Sequence, residues 1–359
     1  MPARILAVFA LLTWVGAVSA AQTNLSAGVW AVYENVRDND RDEETFGDIK
    51  DEALILYMDG HADPEEGAWS YSAELRIGPG SFTDPGNNST GNNFALHKAW
   101  VGFSLGDRHV LRVGKSQVPF GWKTVNFWPG DVLQAGYGDQ MDVGFKLTGT
   151  AAPLKYDLAY YHADDWGETS TDTVDDNGHW GSASTYRKVQ TVVGNIEWTP
   201  VEGQTIALSA QRGRLQDLTG TNPEDPVDGD HFAAVLWYHG VFGPFYTKLE
   251  LITGERELPP NLVASVAGLA DTIENDRIAA EFGYRRGDWF WYLDASLADP
   301  GTRGNNVDTV AAFAPGVSWD YGPGWIYFEY LTQDGFVDAN GQVGEGDFDA
   351  LYIAMDFYL

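Results

Sequence analysis

Cysteine is absent from the 359 residues, and lysine and arginine together number 22 against 52 aspartates and glutamates. Without cysteine the chain has no disulfides, on which small exported domains often depend. The formal charge of −30 repels nucleic acid, so we exclude a DNA- or RNA-binding function. The sequence also lacks a Gly-x-Ser-x-Gly elbow, a His-Glu-x-x-His pair and a phosphate-binding loop. We therefore expect neither an enzyme, nor a cofactor, nor a metal site.

Long apolar runs are missing as well, apart from one near the N-terminus. Arg4 precedes an apolar run from Ile5 to Val18, which ends at the small residues Ser19, Ala20 and Ala21. Its 14 residues are fewer than the roughly 20 that a membrane-spanning helix needs, and the small residues fit a cleavage site. This pattern predicts a signal peptide over residues 1–20, export by the general secretory route, and a mature domain over residues 21–359.

Aromatic residues and glycine are abundant, with 14 Trp, 17 Tyr, 18 Phe and 41 Gly. Short runs alternate apolar and polar residues: Leu351, Ile353 and Met355 share one face of a segment whose other face carries Tyr352 and Asp356. A period of two predicts β-strands with one apolar and one polar face. Soluble β-sandwiches alternate in the same way, so the pattern alone leaves a sandwich and a membrane barrel open.

The connections between the strands separate these two folds. Connections after even-numbered strands are short and those after odd-numbered strands are long and polar, which is typical of an up-and-down barrel with its long loops outside the cell. An open sheet edge would leave unpaired N–H and C=O groups in lipid, so the sheet must close. We predict an all-β, transmembrane, up-and-down antiparallel β-barrel of about 16 strands, near residues 23–34, 49–59, 67–77, 94–105, 108–115, 141–149, 154–163, 185–198, 203–213, 230–240, 243–253, 275–286, 288–298, 307–320, 323–333 and 346–359.

The third long connection, residues 116–140, is the strongest candidate for a functional site, because a loop at that place can fold into a pore. The segment from Leu111 to Gly121, LRVGKSQVPFG, resembles the strand-to-loop segment of the phosphate-selective porin O and P family. That resemblance implies a homotrimer in which the inward-folded third long loop forms the constriction and basic side chains select anions. The constriction-loop candidates are Lys115, Pro119, Phe120, Lys123 and Asp131. An ordinary outer loop is the alternative.

Many basic residues fall on the polar faces of the predicted strands, which in a barrel face the water-filled lumen. The pore-lining candidates are Arg76, Lys98, Arg112, Lys146, Lys155, Lys188, Lys248, Arg277 and Arg285. The same faces carry carboxylates such as Glu74 and Asp157, so a network of salt bridges without any selective role is the alternative.

These patterns together predict a porin in the outer membrane of a Gram-negative bacterium, through which small solutes or ions diffuse passively, with anions such as phosphate among the candidates. The expected partners are outer-membrane lipid, lipopolysaccharide, further copies of the chain in a homotrimer, and the solutes themselves. Two alternatives stay open. One is a barrel whose acidic outer loops serve surface interaction or structure, and the other is a barrel hydrolase with Ser and His on neighbouring strands.

Overall fold

A computed structural model of the chain describes residues 21–37, 39, 44–62, 67–79, 94–121, 141–163, 185–220, 226–338 and 340–359. Within these residues, sixteen antiparallel strands form one closed sheet in which β1 pairs with β16. The strands are β1 Ala21–Val36, β2 Asp48–Ala62, β3 Trp69–Ile77, β4 Phe94–Leu105, β5 His109–Gln117, β6 Met141–Ala151, β7 Leu154–Ala163, β8 Tyr186–Val201, β9 Gln204–Asp217, β10 Val227–Phe242, β11 Phe245–Glu257, β12 Thr272–Arg286, β13 Trp289–Pro300, β14 Val310–Asp320, β15 Gly324–Val337 and β16 Val343–Tyr358. The predicted fold class and strand count are confirmed. Residues 1–20 lie outside the described residues, so the signal peptide stays a prediction.

The alternation of side chains explains why this sheet closes in a lipid environment. On β16, Leu351 and Met355 point outward and are 40% and 45% exposed, whereas Tyr352 and Ala354 point inward and are buried. The pairing of β1 with β16, which closes the barrel, continues this arrangement, because its register places Val29 opposite Phe357. Outward residues therefore meet outward residues from strand to strand, and they form an apolar belt that lipid can cover.

Aromatic rings cluster at the end of the barrel that carries the short turns. The Trp289 ring stacks on Trp291 at 6.2 Å and on Trp319 at 5.9 Å, and the Trp325 ring meets Tyr358 edge-on at 5.8 Å. Such rings favour the level of the lipid headgroups. They mark the short-turn end as one membrane boundary.

The strict alternation of short and long connections is wrong at one hairpin. The connection between β15 and β16 spans only residues 338–342, whereas the short-turn connection between β2 and β3 spans residues 63–68. The reason is that the ladder continues to the pair Val337–Val343, whose side chains are buried in an apolar cluster with Val310. Packing beyond the membrane belt thus lengthens these two strands.

One helix was not predicted. The helix α1, Pro260–Ser265, lies in the sixth long connection and starts with proline, whose missing N–H costs nothing in the first turn. Its Leu262 is buried with Leu258, Ile273 and Tyr186 at the long-loop end of the barrel. Among the described residues, no helix has the length and apolar character needed to cross a membrane.

Candidate functional site

The beginning of the third long connection packs against the inner wall of the barrel. Phe120 is 2% exposed and belongs to one apolar cluster with Val193 and Val235. The backbone N–H of Gly121 donates a hydrogen bond to Oγ of Ser209, at 3.2 Å. Ser209 points inward, because Leu208 beside it is exposed on the outer face.

Two of the five constriction-loop candidates, Lys123 and Asp131, lie outside the described residues, as does the whole range 122–140. The inward-folded loop as a constriction therefore stays a prediction. Of the other three candidates, Pro119 and Phe120 line a cavity in the lumen, whereas Lys115 is buried on β5 and does not line it.

This cavity of about 500 Å³ lies between the start of the connection and the wall formed by β5 to β8, β10 and β11. Four of the nine pore-lining candidates reach it from four different strands: Arg112, Lys146, Lys155 and Lys248. Two carboxylates, Asp157 and Glu197, line it as well. The site is therefore mixed in charge, and its net effect depends on which charges compensate one another.

Arg112 and Lys146 are directly opposite each other in the β5–β6 ladder. The guanidinium of Arg112 lies 5.0 Å from the centre of the Trp100 ring and donates from Nη1 to Oγ1 of Thr148 at 2.9 Å. Nζ of Lys146 donates to the backbone oxygen of Gln117 at 2.6 Å. In the described part of the chain, no carboxylate lies within 4 Å of either cation. Asp157 is linked to this pair through Thr148, so its carboxylate offsets part of the positive potential that the two cations place in the cavity.

The two carboxylates of the cavity are engaged with other groups. Oδ1 of Asp157 accepts a hydrogen bond from Thr148 at 2.6 Å, and its Oδ2 accepts one from Nδ2 of Asn195 at 3.3 Å. Oε1 of Glu197 lies 2.6 Å from Nζ of Lys155, in a salt bridge. Glu197 thus compensates Lys155 rather than the opposed pair.

Lys248 belongs to a different network. Its Nζ lies 3.2 Å from Oε2 of Glu281, and both side chains are almost fully buried. Breaking such a buried pair leaves an isolated charge and costs several kcal/mol, so these two residues stabilise the wall of the barrel.

The remaining five candidates lie away from the cavity. Arg76 and Lys98 share Glu74, at 2.8 and 3.9 Å. Arg285 lies over the rings of Tyr246 and Phe290, near the short-turn end. The last two candidates, Lys188 and Arg277, are buried on β8 and β12. The predicted set is therefore spread along the wall, and the structure brings only some of its members together.

Sequence reasoning missed several side chains of this site: Asn195, Glu197, Trp237 and His239, which line the cavity, and Trp100, which lies under Arg112. Trp100 supports Arg112, and Asn195 holds Asp157 and Glu197 while its own Oδ1 accepts a hydrogen bond from Ser209 at 2.9 Å. Trp100 shares the inward face of Lys98 two residues before it, and this was the available signal. Asn195 gave none, because a bulge between Val189 and Val192 reverses the alternation that Lys188 begins. No group of three or more His, Asp or Glu able to hold a metal ion occurs in the described ranges.

Neither a protein-family model nor a curated protein matches the chain. Several solved structures do. A loop-deletion form of OmpT, an outer membrane protein of Vibrio cholerae, gives a TM-score of 0.66 at 12% identity, over 95% of this chain and 100% of that one. The anion-selective porin from Comamonas acidovorans gives 0.62 at 11% identity, over 94% and 100%. The outer membrane channel DcaP of Acinetobacter baumannii gives 0.62 at 11% identity, over 96% and 99%.

The fold is that of outer-membrane porins. Identities this low show the fold alone, so the functions of these proteins are not transferred by the match itself. The specific resemblance to the phosphate-selective porin O and P family is not confirmed and stays a prediction.

Proposed function

We propose that the chain forms a channel in the outer membrane through which small solutes diffuse passively, and that the channel prefers anions. The observation that carries this proposal is the opposed pair of Arg112 and Lys146, which faces a cavity beside the lumen-facing start of the third long connection. The same fold occurs in a porin described as anion-selective and in an outer membrane channel.

Screening decides how strongly such a pair can select ions. A unit charge about 8 Å from a permeating ion contributes about 0.5 kcal/mol in water before salt screening, which corresponds to roughly a twofold change in permeability. Two positive charges, offset in part by the carboxylate of Asp157, therefore give a moderate anion preference. They do not provide the dense set of phosphate ligands that tight binding of one solute would require.

The test is the reversal potential of the refolded protein in a planar bilayer under a tenfold KCl gradient, for which a perfectly selective pore gives about 59 mV. We expect open channels with a reversal potential on the chloride side. The substitutions Arg112→Gln and Lys146→Gln should each lower the permeability ratio of chloride to potassium about twofold.

The matched control is the double substitution Lys155→Gln with Glu197→Gln, which removes a salt bridge from the same wall without changing the net charge. It should leave the reversal potential unchanged. Potassium preference in the unmodified protein would contradict anion selection, and a folded, inserted protein that passes no current would contradict the channel itself. That silent outcome would favour the surface-interaction alternative, whereas labelling by a serine-directed covalent probe would favour the hydrolase.

The same proposal includes the outer-membrane location, removal of residues 1–20, and assembly as a homotrimer in contact with lipid. OmpT of Vibrio cholerae is described in a trimer form, and this chain shares its fold at 11% identity. N-terminal sequencing of protein from isolated outer membranes tests the cleavage and the location. Native mass spectrometry of the same sample tests the trimer.

A further inference from the structure

The outer face of the barrel changes from apolar to charged at the long-loop end, and on β11 to β13, β15 and β16 the first charges there are acidic. On β11, for example, the exposed Leu249 and Leu251 are followed on the same face by Glu255. On β13 the exposed Leu297 is followed by Asp299. The corresponding residues on β12, β15 and β16 are Asp276, Asp334 and Asp349.

Strands β8 and β9 differ, because their outer face carries arginines at this boundary. Arg212 is exposed and pairs with Val192 and Phe232 in the two neighbouring ladders, both of which are exposed on the outer face. Arg214 lies two positions after Arg212 on the same face of β9. Gln216 is the next residue on that face, and Arg187 of β8 pairs with it. We call Arg187, Arg212 and Arg214 the arginine patch.

The patch keeps positive charge and free donor groups at its surface. Arg214 forms a salt bridge with Asp230 at 3.0 Å, and both side chains are about 40% exposed, so water weakens this pair. Arg187 uses only Nε in its 2.7 Å hydrogen bond to Gln216. Arg212 makes no ion pair or hydrogen bond with any residue that the structure describes. Three guanidinium groups against Asp230 and the neighbouring Asp228 still give a local excess of positive charge on a chain of charge −30.

The surroundings of the patch select among anionic partners. Directly below it, toward the short-turn end, the outer face consists of apolar side chains such as Val192 and Leu208, which are 48% and 51% exposed. A partner that covers both surfaces needs anionic groups beside hydrocarbon chains. Arginine binds phosphate oxygens through two parallel N–H donors, so a phosphorylated lipid fits the two zones together.

We propose that the arginine patch binds the phosphate groups of an outer-leaflet glycolipid, with the lipid chains lying on the apolar belt of β8 to β10. This inference rests on the outer-membrane location in the proposed function, since that location places the long-loop end in the outer leaflet. It does not depend on ion conduction through the lumen. The patch is thus a lipid-binding surface on an otherwise acidic rim.

The test uses the full-length mature protein in detergent, titrated with rough lipopolysaccharide that lacks O-antigen, with bound lipid counted by native mass spectrometry. We expect the triple substitution Arg187→Gln, Arg212→Gln and Arg214→Gln to weaken binding about tenfold or more, because charge-assisted hydrogen bonds to phosphate are lost. The single substitution Arg212→Gln should account for much of this loss. The control is Arg37→Gln, which removes one positive charge beside Asp349 in the acidic part of the rim and should leave binding unchanged.

Unchanged lipid binding by a triple variant that still runs as a folded, heat-modifiable band on SDS gels would overturn the proposal. So would loss of the oligomer in lipid-free detergent with lipid binding intact, since the patch would then contact a second copy of the chain. Single-channel current measured on the same samples separates this inference from the proposed function. A silent protein that binds lipid through the patch refutes only the channel, and a conducting protein with unaltered lipid binding in the triple variant refutes only the patch.

Discussion

Two arcs of the lumen wall differ in how they carry charge. The first arc, β3 to β12, holds all nine pore-lining candidates, whereas the second, β13 to β16 with β1, contains no lysine or arginine. On the second arc, two inward carboxylates accept hydrogen bonds from tyrosine hydroxyls: Tyr292 donates to Glu329 at 2.5 Å, and Tyr352 donates to Glu34 at 3.1 Å. A neutral donor leaves the charge of a carboxylate in place.

Both arcs bury small and apolar inward residues. The second arc buries small and apolar inward residues in one cluster, in which Ala312, Ala314 and Ala354 are at most 3% exposed. The first arc has an apolar cluster of its own around Phe120, and it also places Arg112 and Lys146 side by side. The second arc thus carries carboxylates and no lysine or arginine of its own, whereas the first arc carries both signs. We expect the balance between the two arcs, rather than the net charge of −30, to set which ion the lumen favours.

Reversing the charges of Arg112 and Lys146 should change the ion selectivity most, because it removes the difference in charge between the two arcs. In the double variant Arg112→Glu with Lys146→Glu, both arcs become acidic. The change amounts to four unit charges at about 0.5 kcal/mol each before screening, enough to invert a moderate preference. The reversal potential under a KCl gradient should move to the potassium side. A double variant that remains as chloride-selective as the unmodified protein would show that the pair does not govern permeation.

The sequence predicted the arrangement of charges on the two arcs only in part. The period of two located the strands and put Arg112, Lys146 and Lys155 on inward faces, because each strand must bury one face and expose the other. It did not place Glu197 there, because a bulge between Val189 and Val192 reverses the alternation that Lys188 begins on β8. The pairing of Arg112 with Lys146 could not be predicted, because β5 and β6 are joined by a connection of more than twenty residues that does not fix their register. The same holds for β7 and β8, so the salt bridge between Lys155 and Glu197 became visible only in the structure.

A glycine on the second arc should prove critical for stability. Gly316 lies between Tyr292 and Glu329 in the ladders of β14, and Tyr292 reaches across it to the carboxylate. A Cβ at Gly316 would collide with the Tyr292 ring. We therefore expect Gly316→Ala to displace this ring and destabilise the barrel by about 1–3 kcal/mol, as overpacking usually does.

The temperature at which the folded band is lost on SDS gels measures this effect. Gly194→Ala is the matched control, because a Cβ there meets no atom within 4 Å. Equal unfolding temperatures for the two variants would mean that the contact between Tyr292 and Glu329 tolerates displacement of the ring.

Neutralising two carboxylates of the second arc should produce a smaller change in ion selectivity, and in the opposite direction. The variant Glu34→Gln with Glu329→Gln removes two negative charges and keeps groups that accept hydrogen bonds from Tyr352 and Tyr292. Chloride preference should rise, by no more than about twofold per charge. The reversal potential measures it. A shift toward potassium, or none at all, would show that the carboxylates of this arc do not act on permeating ions.

Raising the salt concentration should have the smallest effect on ion selectivity. It should also distinguish charges that face the lumen from charges buried in the wall. Raising the ionic strength from about 0.1 M to 1 M shortens the screening length from about 10 Å to 3 Å, so the attraction of Arg112 and Lys146 for ions in the lumen weakens. The chloride preference should decline toward that of free solution when the same tenfold gradient is set at higher concentration. The buried pair of Lys248 and Glu281 is shielded from salt, so the unfolding temperature should stay nearly constant over this range. If selectivity survives at high salt, the cavity holds ions by direct contact, and the long-range field of the two arcs is not what selects them.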